Sequence, residues 1–251
     1  MHIDDLNSGE PGSEVLWIDS SLNNIALTNT NVGPFTSATL QSNPDFVTSR
    51  FGPAFAYFLS GLDVVEYAEK GGVLSERTTA LNLGSEWTIE FWFYVRSDDW
   101  PETKPFFPWC MLSMDREDKD GCIGFDILWT ENNGQIIGTF NSFFKEKDLY
   151  QYRLEGNQVS TNTWHHVAMV RSGDAIKLFQ NGNAVSFQAW TGLEIEQVNR
   201  VGLGGLTSSD SDQIKNWNCA AGIDELRILT NKAAYDINAQ VIEIPTGPVA
   251  E

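Results

Sequence analysis

Retaining glycosidases hold two carboxyl groups about 5.5 Å apart. Acids at alternate positions of one strand, Glu-x-Asp-x-Glu, can supply them because alternate side chains share a face. Two stretches carry acids two residues apart, Glu146-Lys147-Asp148 and Glu194-Ile195-Glu196. The first runs into Leu149-Tyr150 and the second into Gln197-Val198, so neither continues the pattern and both read as solvated charges. His165 and His166 are neighbours on an expected strand, point to opposite faces and cannot chelate one metal. His166, in phase with Trp164 and Ala168, reads as a packed or hydrogen-bonded core histidine. Catalytic triads, P-loops and dinucleotide fingerprints do not occur.

The run Asp115-Arg116-Glu117-Asp118-Lys119-Asp120-Gly121 has the charge of a calcium loop but not its order. With Gly121 at the glycine position of an EF-hand, Arg116 falls on the first ligand position and Ile127 on the last, so a solvated loop is expected. Counting back from Leu226 and Ile228 places Asp224 on a buried face, where a carboxylate must find a partner or protonate. That partner is an arginine, backbone amides or a cation. Trp100, Phe106, Phe107 and Trp109 crowd a proline-rich loop spanning 97 to 120. Such a group suits lid packing, a subunit interface or stacking on a sugar ring. Cys110, Cys122 and Cys219 cannot all pair within one chain and match no zinc spacing, so they read as buried thiols or at most one bridge, made in a reducing compartment.

The elements that must position these groups are strands. Trp87, Ile89, Phe91, Phe93 and Val95 share one face of a strand, while Thr88, Glu90, Trp92 and Tyr94 share the other. The first set is core. The second is half polar and half aromatic, as on a sheet surface that lines a groove or lies under a loop. Trp164 to Arg171, the Ser172-Gly173-Asp174 turn, Ala175 to Gln180 and the Asn181-Gly182-Asn183 turn spell two consecutive antiparallel hairpins. No long segment has helical periodicity. The expectation is one all-β antiparallel sandwich with few short helices, a polar arm over 1–14, the sandwich over 15–235 and a tail over 236–251.

Hydrophobic residues make up 41% and charged residues 20% of the 251, enough to bury a core. The net charge of -18, with Lys and Arg scattered, argues against nucleic acid as a partner and fits a soluble acidic surface or divalent-cation binding. No apolar run approaches the roughly 20 residues that span a bilayer, so no membrane insertion is expected. Met1 to Leu6 has no basic or apolar leader, so nothing there encodes export.

Trp87 to Arg96, Trp164 to Val185 and Gly222 to Ile228, in this order and spacing, resemble the laminin-G-like, concanavalin A-like jelly-roll family across residues 15–235. That resemblance implies a jelly-roll β-sandwich. In related sandwiches a structural Ca2+ often sits between the first and last strands, and Asp19 resembles the acid that would face it, which makes Asp19 and Asp224 the candidate metal pair. The ending Asp224-Glu225-Leu226-Arg227-Ile228, Lys232-Ala233-Ala234-Tyr235 and Pro245-Thr246-Gly247-Pro248 is similar to laminin-G-like domains of tailed-phage virion proteins. Ala234 stands where such sequences often have arginine. The expectation is therefore a non-enzymatic virion protein, assembled in the host cytoplasm, decorating the capsid or tail as a homo-oligomer bound to capsid or tail proteins. The alternative is a carbohydrate-binding module that meets host or environmental glycan through Trp100, Phe106, Phe107 and Trp109. A divergent hydrolase ranks third.

Overall fold

In a computed structural model that describes residues 15–18, 26–29, 50–51, 56–58, 73–75, 81–102, 104–105, 108–116, 119–146, 149–189, 197–205 and 219–247, antiparallel pairing organises the chain. One sheet has the order β1 (Val15–Ile18), β2 (Ala26–Asn29), β4 (Val73–Ser75), β15 (Arg200–Leu203), β7 (Trp109–Arg116), β8 (Lys119–Asn132), β9 (Gln135–Glu146), β10 (Leu149–Gln158). The second has the order β13 (Asn183–Ala189), β12 (Ala175–Gln180), β11 (Trp164–Ser172), β6 (Glu86–Tyr94), β16 (Ala221–Thr230), β3 (Ala56–Phe58). Strands β5 (Leu81–Asn82) and β14 (Gln197–Val198) pair separately. The helical content among the described residues is a single 3-10 turn, Ser97–Asp99.

The two large sheets pack face to face as the jelly-roll sandwich that the alternation in β6 requires. Trp87, Ile89, Phe91, Phe93 and Val95 are fully buried. Phe91 meets Phe125 of β8 edge-on at 5.1 Å between ring centres, and Phe93 stacks on Phe140 of β9 at 5.2 Å. Offset and edge-to-face rings add to the stabilisation of about 1.5–3 kcal/mol from burying each large side chain. The two hairpins around β12 form as their turns dictate, with Asn181 at φ 50° and Gly182 at φ 79° making the left-handed pair that matches strand twist.

Two expectations change. The run that begins at Asp115 is not wholly a loop: Asp115 lies within β7 and is buried, accepting the Asn199 N–H on its carbonyl at 2.8 Å, while Glu117 and Asp118 lie outside the described residues. β7 and β8 pair as a hairpin, with Arg116 opposite Lys119. Residues 236–247, expected as a tail leaving the sandwich, lie instead across the outer face of the six-stranded sheet. Ile242 is buried there with Ala168, Val170 and Phe179, and Ile237 and Ala239 pack beside them. Ala184 N–H donates to Gln240 O and Ile242 N–H to Gly182 O, each at 2.8 Å. The segment 231–247 is a strap.

Candidate functional site

Under the strap, the outward side chains of β6, β11 and β16 form a buried ionic cluster. Glu90 is almost wholly enclosed. Its Oε2 accepts a hydrogen bond from the Tyr235 hydroxyl at 2.6 Å and lies 3.4 Å from His166 Nε2, while Arg227 pairs with its Oε1. Thr88 fastens the strap nearby: its hydroxyl donates to Lys232 O at 3.3 Å and accepts from Ala234 N–H at 2.8 Å. Burial alone would raise the Glu90 pKa, but the His166 and Tyr235 contacts and the Arg227 charge outweigh it and hold the carboxyl below its ordinary value. The same burial, together with the Glu90 charge, pushes the Tyr235 hydroxyl up. These are the residue types of an acid-base site. Here the Tyr235 hydroxyl and the Arg227 guanidinium are engaged by Glu90, whereas His166 only approaches it, and neither of its ring nitrogens completes a hydrogen bond among the described residues.

Asp224 joins this face and not the core. Glu225 sits at φ 52° in a bulge between the pairs Asp224↔Trp92 and Arg227↔Glu90. The extra residue reverses the alternation, so Leu226 and Ile228 enter the core while Asp224 points outward. Its carboxylate accepts N–H donors from Arg50 at 2.8 Å, Phe51 at 3.3 Å and Glu225 at 2.9 Å. Burial pushes its pKa up to about 6 against the pull of those donors. A calcium ion needs converging oxygens. The Asp224 carboxylate is taken up by three N–H donors, although the Glu225 charge also bears on it, and among the described residues no three His, Cys, Asp or Glu side chains converge as a ligand set. Asp19 lies outside the described residues.

The expected aromatic contacts divide. Trp109 is buried and meets Trp129 edge-on at 4.7 Å; Trp100 is half-buried, meets the same ring at 4.8 Å and donates its indole N–H to Ile136 O at 3.1 Å. Both pack one end of the sandwich. Phe106 and Phe107 lie outside the described residues. His165 and His166 do face opposite ways, His165 stacking on Phe93 in the core and His166 lying 5.2 Å from Trp92. Cys110 and Cys219 are buried; the Cys110 thiol donates to Leu112 O at 3.4 Å, and burial pushes the Cys219 thiol up to about 12.

The eight-stranded sheet buries a second acid on its own outer face. Asp126 Oδ1 accepts from Arg153 Nη1 at 3.0 Å, whereas Asp126 Oδ2 and the Oδ1 of its cross-strand neighbour Asn141 have no hydrogen-bond partner among the described residues. Burial therefore wins over Arg153, and the Asp126 pKa rises to about 6. Such a value suits a general acid. With its side chain at 0% exposure, Asp126 has no path to a substrate.

One open groove was not anticipated from the sequence. It lies between β13 and the strap, has a volume of about 400 Å3, and is lined by Lys177, Ser186, Phe187, Ile237, Asn238 and Gln240 among others. The sequence signal was the polar and aromatic alternation of Ser186-Phe187-Gln188 in an edge strand. Its meaning depended on the strap.

The family described as the concanavalin A-like lectin/glucanases superfamily, in its laminin-G form, matches residues 68–233, more than half of the chain. No curated protein sequence matches. Among solved structures, the chain is similar to the botulinum neurotoxin serotype C1 binding domain, with TM-score 0.56 and 14% identity, covering 91% of this chain and 48% of that one. It is similar also to the botulinum neurotoxin DC binding domain in complex with rat synaptotagmin II, with TM-score 0.57, 12% identity and coverage of 91% and 47%. A Trypanosoma rangeli sialidase follows with TM-score 0.52, 7% identity and coverage of 93% and 30%. The chain spans half or less of the length of these structures, and at such identities the likeness is one of fold. With the family match over the central strands and the sandwich in place, the chain belongs to the concanavalin A-like lectin/glucanase superfamily.

Proposed function

We propose that this chain is a non-catalytic binding domain carried on the surface of a tailed-phage particle, where it contacts capsid or tail proteins and forms a homo-oligomer. The observation that carries the non-catalytic reading is the burial of Glu90 and His166 beneath the strap, with Arg227 and Tyr235 turned onto Glu90. The groups able to move protons are paired with one another beneath the strap and not aimed into a cleft. The strap from Ala234 onward also lies beyond the residues matched by the family. Support for the particle setting is the similarity of the ending, Asp224 to Tyr235 and Pro245 to Pro248, to tailed-phage virion domains. A second reading, recognition of a glycan, is favoured by the Phe187 groove, and two structural neighbours of this fold are a toxin binding domain and a sialidase. The two readings are compatible.

The test has two arms. Purified protein incubated with neutral and acidic polysaccharides should release neither reducing ends nor unsaturated uronate, and the chain should appear in a mass-spectrometric inventory of washed particles. Turnover that disappears in Glu90→Gln or Asp126→Asn would overturn the non-catalytic reading. Absence from the particles would overturn the setting.

A further inference from the structure

The six-stranded sheet ends at β13, and the hairpin register sets Phe187 directly across from Lys177 on the outer face. A slip in that register between Leu178 and Phe179 turns Val185 toward the core while Phe187 remains outside. Phe187 is 54% exposed, an unusual state for a ring with this much apolar area to bury. Opposite it runs the strap, with Ile237, Asn238 and Gln240 on the far wall.

The floor is rigid. Lys177 is nearly buried; its ammonium donates to Ala239 O at 2.8 Å and lies 5.7 Å from the ring centres of both Phe179 and Phe187. One cation therefore ties the strap to the sheet and fixes the exposed ring, so the groove exists before any ligand arrives. The amides on its rim are uncommitted or nearly so. Among the described residues, Gln240 makes no side-chain hydrogen bond, and Asn238 uses its amide only on Asp236 Oδ1 at 3.2 Å. An aromatic face bordered by amides is the complement of a pyranose ring, whose C–H face is apolar and whose rim carries hydroxyls. The volume falls within the range of small-ligand sites.

Charge decides which sugars. Among the described residues of the lining, Lys177 is the one that carries charge, and its ammonium is already occupied and shielded. That lining offers no open cation to draw a carboxylate or sulfate, and the chain as a whole carries -18. We propose that the Phe187 groove is a subsite for an uncharged pyranose of a neutral glycan. This rests on the reading of the chain as a binding domain and locates the ligand away from Trp100 and Trp109.

Saturation-transfer NMR and calorimetric titration with neutral oligosaccharides (maltohexaose, cellohexaose, chitohexaose, mannohexaose) and with two charged ones (hexa-guluronate and sialyllactose) test it. At least one neutral hexasaccharide should bind, with saturation strongest on ring C–H protons. Phe187→Ala should weaken that binding by about tenfold or more, Gln240→Ala less, and Phe187→Trp should retain it. Tyr152→Ala, at an exposed ring on β10, is the control and should bind as the parent does. Thermal melts of each variant separate loss of binding from loss of fold. Binding that survives Phe187→Ala overturns the subsite and leaves glycan recognition standing. Binding of the charged sugars alone overturns the neutral class. Failure of every sugar overturns the subsite and the glycan reading together, while the particle inventory judges the particle setting separately.

Discussion

Glu90 and Asp126 are buried acids on the outer faces of the two sheets, Asp126 the more deeply enclosed, and their carboxyls move in opposite directions. Glu90 has a tyrosine hydroxyl, a histidine ring and a guanidinium around it and stays below its ordinary pKa. Asp126 has one guanidinium on one oxygen, no described partner on the other, and rises to about 6. Burial raises both, more at Asp126, and only at Glu90 are the partners numerous enough to outweigh it. What separates the faces is the strap, which brings Tyr235 to Glu90 and has no counterpart at Asp126 among the described residues.

Removing the strap should give the largest effect. A chain ending at Asn231 uncovers Phe179, Ala168 and Val170 and leaves Glu90 without Tyr235. We expect no cooperative unfolding transition and binding of a hydrophobic dye at neutral pH. A well-folded truncated monomer would show that the strap is an ornament. Next in size is Glu90→Ala, which strands Arg227 and the Tyr235 hydroxyl. Breaking a buried ion pair from one side costs about 3–5 kcal/mol, readable as a lowered urea midpoint at unchanged slope.

The acid without a full shell predicts a pH effect of opposite sign. Because the folded Asp126 pKa, about 6, lies above its ordinary value of 3.8, folding favours its protonated form. The stabilisation is complete below about pH 4 and is lost as pH rises towards 6. Asp126→Asn should flatten the fall in melting temperature across that window, and Asp224, also near 6, accounts for part of what remains. Glu90, held low, contributes the reverse: its stabilisation is present at neutral pH and disappears on acidification. A parent protein whose melting temperature changes from pH 4 to 6 with the same slope as that of Asp126→Asn would remove the distinction between the two faces. The smallest effect concerns calcium. With N–H donors around Asp224, EDTA or millimolar calcium should move the melting temperature by less than about 1 °C, whereas a rise of several degrees would restore the Asp19 and Asp224 cation site.

The sandwich was legible because its signals are local. Trp87 to Val95 alternates without interruption, and Asn181-Gly182 admits few turns other than the hairpin it makes. The second face of β6 was also read as covered or grooved. The sequence did not reveal what covers it, since the cover comes from residues some 140 positions later with no periodicity of their own. Asp224 was misplaced for a similar reason: one residue, Glu225, in a left-handed conformation shifts the phase of β16, and glutamate gives no sign of that. Trp100 and Trp109 stood out as a cluster, but their partner is Trp129 on the next strand, which sequence spacing does not join to them.

The account turns on whether Glu90 and Tyr235 form a lock. A double-mutant cycle in urea with Glu90→Gln, Tyr235→Phe and the pair measures this directly, since the tyrosine-to-phenylalanine change keeps the ring packed on Phe179 and removes only the hydroxyl. The predicted coupling is about 1–3 kcal/mol, as for a buried charge-assisted hydrogen bond. Strictly additive single effects would mean that the two groups do not hold each other, and the cluster would have to be reconsidered as a site open to a ligand.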